Sequence, residues 1–188
     1  MSSPGTGQAA PDRQRGDGPE RRRGIDPWVR FAALFAVLGI GSEILYFGVL
    51  LGSDALAVYL ETLSGVSGLI LNAMGQDVDI VETSIWNGNF LIDIAPECDA
   101  VQLQALLASA IFSFPASLRH KGIGLVATIS WLQLVNYVRI VSLYFLGSHF
   151  DEAVFRSAHE VVWPIVLILV TVATWVLWAR WVGEHGGP

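Results

Sequence analysis

The chain has 188 residues, 53% of them hydrophobic and only 15% charged, with a formal net charge of −6. It is more apolar and less charged than an ordinary soluble domain. The acidic balance, and the lack of a basic face with interleaved aromatics, argue against a nucleic-acid partner.

Residues 1–27 read as a disordered basic tail. Gly, Pro, Ser, Gln and Arg dominate, five of the eleven basic residues precede Ile25, and almost nothing there is worth burying. A retained first membrane helix follows, from Trp28 to about Leu51, with no convincing small-residue cleavage site behind it. Residues Ala55–Met74 place leucines at helical spacing but carry Glu61, Gly65 and Gly68. Such a segment either spans or lies amphipathically at the interface. Next, Val78–Val81 and Phe90–Ile94 alternate around Trp86-Asn87-Gly88-Asn89, the pattern of a small β-hairpin. Ala100–Ala116 reads as a second span, Gly122 to about Leu146 as a third, and Val161–Trp181 as a fourth. Residues 184–188 form a short C-terminal tail.

Charge orients these pieces. With four spans, the N-terminal arginines, the Arg119-His120-Lys121 turn and Arg180 all face the cytoplasm. The acidic segments Gly52–Asp99 and Gly147–Glu160 then face outward. Making Ala55–Met74 a span would export Arg119 and Lys121, so that segment is assigned to the interface. The expected fold is an all-α integral membrane bundle of about four spans plus an interfacial helix, with a small extracytoplasmic β-hairpin. Residues 28–183 form its single domain.

Cys98 is the only cysteine, so its chemistry is that of a thiol. It precedes the first turn of the second span, where a helix N-terminus lowers thiol pKa while Glu97 and Asp99 oppose that effect. Alone it would read as a small buried hydrophobe. Arg139 lies in the outer half of a membrane helix, where arginine is costly and marks a functional site by default. Asn136 is three residues earlier on the same face. Glu43, at similar depth in the first span, is the obvious ion-pair partner for Arg139. His159 opens the last span at the same face and is suited to acid–base work. A thiol, a guanidinium and an imidazole from three helices compose a nucleophile, an oxyanion-stabilising charge and a proton carrier. One Cys and two outer histidines do not make a convincing zinc set, and no cofactor is implied.

The ordered trio resembles the exosortase/archaeosortase family of membrane cysteine transpeptidases. The matching residues are Cys98 in Glu97-Cys98-Asp99-Ala100, Asn136-Tyr137-Val138-Arg139, and His159 in His159-Glu160-Val161-Val162-Trp163. The family commonly has Ser-Gly or a similar pair after the Cys, where this chain has Asp99-Ala100. The low number of hydrophobic segments resembles a short branch such as the exosortase H type.

The resemblance implies a multi-pass protein of the bacterial inner membrane with its site facing outward. It implies as substrate the C-terminal tail of an exported protein: a short motif, a membrane helix and a basic end. Cys98 would form a thioester, His159 would carry the proton, and Arg139 would hold the oxyanion or orient the thiolate. Asn136, Glu43 and Glu97 would support them. Membrane lipid surrounds the enzyme, and the acceptor would be a surface glycan, a lipid or water. A non-enzymatic assembly factor or scaffold for envelope polysaccharide or protein export is the competing reading of the residues alone.

Overall fold

The computed structural model describes residues 26–185. The expected tail, apart from Asp26 and Pro27, lies outside the described residues, as do 186–188 and the side chain of Glu97. Helix α1 (Pro27–Leu45) starts with Asp26, whose side chain accepts from Trp28 N, and with Pro27 in the first turn. Proline suits that position because its missing N–H would be unsatisfied there anyway. The helix widens into a π-helical turn, Tyr46–Leu50. After Gly52 (φ 81°) the chain enters α2 (Asp54–Ala73), capped by Ser53.

Three short strands follow, β1 (Asp79–Val81), β2 (Ser84–Trp86) and β3 (Leu91–Asp93), in the antiparallel order β1-β2-β3. The expected hairpin is therefore corrected. The Asn87-Gly88 turn joins β2 to β3, pairing Trp86 with Leu91, whereas residues 79–81 form an outer third strand against β2. Gly88 at φ 89° supplies the backbone that such a turn needs. Asn87 Oδ1 accepts from the backbone N–H groups of Asn89 and Phe90 and locks the turn. Glu82 at φ 53° makes the second tight turn, which the alternation pattern did not reveal.

A 3₁₀ turn (Pro96–Cys98) leads into α3 (Val101–Ser113). Helix α4 (Leu118–His149) is capped by Ser117, and α5 (Glu152–Ser157) by Asp151. A second π-helical turn, Ala158–Val162, joins α5 to α6 (Trp163–His185). Among the described residues four stretches are long and apolar enough to cross a membrane: Pro27–Leu50, Asp54–Ala73, Leu118–His149 and Glu152–His185. Helix α3, expected to span, has only 13 residues. At 1.5 Å per residue it covers roughly 20 Å of a ~30 Å hydrocarbon core. Ala100 and Pro115 bound it. Helix α2, expected to lie at the interface, qualifies by length and apolarity.

Contacts place these helices. Phe31 of α1 meets Phe114 beyond the end of α3 at 6.4 Å and Trp175 of α6 at 5.9 Å. Tyr46, at the other end of α1, reaches Asp99 at the start of α3. Thus α1 and α3 are antiparallel, and α4 and α6 likewise, with Trp178 Nε1 donating to His120 O. One core cluster at this end joins Leu107 and Ile111 to Leu132, Trp178 and Val182. The other, at the Cys98 end, joins Leu60, Leu63 and Leu71 of α2 to Ile85, Ile92, Cys98, Ile140, Leu143 and Tyr144. Helix α2 contributes only to the second, so its packing lies with the sheet and the Cys98-end half of α4.

Candidate active site

Cys98 closes the 3₁₀ turn, with its N–H donating to Ala95 O at 2.8 Å. Its side chain is buried, and its Sγ lies 3.6 Å from His159 Nε2. That is contact range for a thiol–imidazole hydrogen bond. His159 sits within the π-helical turn. The extra residue per turn re-aims side chains, which is why such turns recur at functional sites. The imidazole stacks on Phe155, with ring centres 5.9 Å apart and planes 5° from parallel. One ring face is thereby fixed while the edge carrying Nε2 meets the sulfur.

Asn136 and Arg139 lie one turn apart on α4 and are both buried. Asn136 Nδ2 donates to Cys98 O at 2.8 Å, tying the Cys98 backbone to α4. Arg139 lines a cavity of about 200 Å³ together with Pro96, Asp99 and Ala100, the residues flanking Cys98. Cys98 and His159 thus meet directly, while Arg139 lines the cavity beside Asp99 and Ala100, next in the chain after Cys98. Glu43 accepts from Gln102 Nε2 at 3.0 Å, bridging α1 to α3. His120 and His185 pack on Trp181 at the far end of the bundle, away from Cys98. Among the described residues no group of three or more His, Cys, Asp or Glu side chains is arranged to hold a metal ion.

Asp99 has a role that sequence reasoning missed. Its Oδ1 accepts from Val101 N at 2.7 Å and its Oδ2 from Tyr46 OH at 2.7 Å. The carboxylate that looked like a local opponent of a thiolate faces the N-terminal amides of α3 and a phenol. Those donors offset its charge. Tyr59 OH adds a bond to Asp99 O at 3.1 Å and one to Gln133 Oε1 at 2.8 Å. Gln104 Nε2 also donates to Gln133 Oε1, at 2.9 Å. Neither tyrosine stood out in the sequence. Tyr46 is three residues beyond Glu43, and that shared face was the available signal.

Neither a curated protein nor a solved structure matches the chain. A family model described as transmembrane exosortase matches residues 27–177, from the first turn of α1 to about two thirds of the way along α6, and so takes in Cys98, Asn136, Arg139 and His159. The chain is a multi-pass membrane protein and belongs to the transmembrane exosortase family.

Proposed function

We propose that this protein is a membrane cysteine transpeptidase that cleaves C-terminal sorting tails of exported proteins at Cys98. The observation that carries the reading is the 3.6 Å approach of buried Cys98 Sγ to His159 Nε2, with Arg139 in the cavity that Asp99 and Ala100 line. Family membership supports a protease or transpeptidase role in general.

The thiol proton passes to His159 as sulfur attacks the carbonyl carbon of the scissile peptide bond. The tetrahedral oxyanion forms in the cavity lined by Arg139, whose fixed charge favours it. Collapse breaks the C–N bond. His159 returns the proton to the leaving amine, and an acyl thioester remains on Cys98. An acceptor nucleophile, a surface glycan or lipid or else water, then attacks the thioester while His159 takes its proton. The thiol is regenerated when sulfur recovers a proton from His159. On this reading the site faces the extracytoplasmic side of a bacterial inner membrane, where exported tails arrive.

The test is processing of an exported reporter that carries a tripartite tail drawn from the host's own exported proteins. Cys98→Ala abolishes processing, and His159→Ala slows it by roughly 10²–10⁴-fold, the span of general acid–base contributions. Normal processing by Cys98→Ala overturns the reading in favour of a scaffold.

A further inference from the structure

An apolar concavity of about 440 Å³ lies between α1, α3 and α6. Its floor is α3, through Leu103, Leu106, Leu107 and Ala110. Its facing wall is α6, through Ile168, Thr171, Val172 and Trp175. Both sets fall at i, i+3, i+4, i+7, the spacing of a stripe that packs against another helix. Phe31 and Phe35 of α1 form the third wall. One end is closed by the Phe31–Trp175 and Phe114–Trp175 ring contacts.

The other end continues toward the site. Leu103 and Ile168 line both this slot and the smaller cavity that holds Arg139, Asp99 and Ala100. Along α6, Trp175 to Ile168 is roughly 10 Å, and Pro164 of the smaller cavity is roughly 6 Å further, at 1.5 Å per residue. Over Cys98 itself, α2 and the sheet pack in the core cluster that contains it, and the groove on the α2–α4 side is lined by the polar groups of Tyr59, Gln104 and Gln133. The slot is therefore the apolar approach to the nucleophile, and it lies among helices at membrane depth.

We infer that this slot seats the apolar membrane helix of the substrate tail, with the scissile bond carried past Leu103 and Ile168 to Cys98. The inference rests on the proposed transpeptidase reading. A helix is the occupant because two helical stripes converge on one volume and leave the seam between them unfilled. Ala110 and Thr171, small side chains on the floor and wall, allow a third backbone to come close. Packing the tail here sets its depth, and with it which peptide bond reaches the sulfur.

The experiment uses the full-length protein in membranes with the same exported reporter. A photo-reactive amino acid at Val172, in a Cys98→Ala background, is expected to give an adduct within the reporter's apolar helix. The same probe at Leu134, which lines a separate groove between α2 and α4, is expected to give none. Val172→Trp, at a half-exposed position, fills the slot and is expected to lower reporter processing at least ~10-fold. Alkylation of Cys98 by a small maleimide, a check on the fold, stays within about twofold. Adducts from Val172 that land only on phospholipid or on a second copy of the chain overturn the inference, as does wild-type processing by Val172→Trp. Failure of the enzyme reading shows separately, as normal processing by Cys98→Ala.

Discussion

Ala100 holds a left-handed backbone, φ 58° and ψ 5°, between the 3₁₀ turn that carries Cys98 and the first turn of α3. An L-residue with a Cβ pays roughly 1–2 kcal/mol for that conformation, whereas glycine adopts it freely. Two anchors hold the strained residue in place: Asp99 Oδ1 on Val101 N, and Asn136 Nδ2 on Cys98 O. Ala100→Gly is therefore expected to stabilise the protein by about 0.5–1 kcal/mol, since relief of strain outweighs the added freedom of the unfolded chain. Thermal unfolding in detergent measures it as a rise in Tm, and a fall in Tm would mean the left-handed backbone carries no strain. Tyr46 shows why this part of the site escaped the sequence. Its hydroxyl meets Asp99, 53 positions away, only because a π-helical turn rotates the end of α1. No local pattern encodes that rotation.

At the scale of elements, the sheet acts on the site through aromatic rings. Phe90, at the start of the loop's return into β3, meets Tyr144 and Phe155, each at 6.0 Å. Phe155 in turn stacks on His159. Gly147 is the contact on α4 that admits Phe90, because a Cβ built there would lie 2.1 Å from Phe90 Cζ. Gly147→Ala is expected to displace Phe90 and loosen the stack that orients the imidazole. Reporter processing should fall about 10-fold while the Tm drops by only a few degrees. A double variant, Gly147→Ala with Phe90→Ala, should lose no more than Phe90→Ala alone, since the clash is then gone. Equal processing by Gly147→Ala and wild type would detach the sheet from the site. The Asn87-Gly88 turn was legible because Asn-Gly has one strong structural meaning. The pairing partner of β2–β3 was not, because Glu82 reverses the chain with a non-glycine residue at positive φ. Likewise Cys98, Arg139 and His159 could be picked out by chemistry and depth. The Glu43–Gln102 contact could not, because no local pattern pairs residues 59 positions apart.

The whole molecule is polar in the direction of its bundle axis. Arg119, Lys121 and Arg180 cluster by sequence with His120, Trp178 and Trp181 at one end. Asp79, Glu82, Asp93, Asp151 and Glu152 belong to the sheet, its turns and α5 at the Cys98 end. The orientation we propose puts the Trp178 end in the cytoplasm, in keeping with the positive-inside rule, and the antiparallel pairs α1–α3 and α4–α6 go with an even number of crossings between the two ends. Helix α2 packs only in the Cys98-end core, so that count holds although α2 is long enough to cross. A topology reporter fused after Leu118 is expected to read cytoplasmic, and one fused after Ser148 extracytoplasmic. Were α2 to cross as a further span, both readings would invert. The Cys98–His159 pair would then face the reducing cytosol, on the side of the membrane an exported tail has already left, and the slot between α3 and α6 would present its open end away from the substrate.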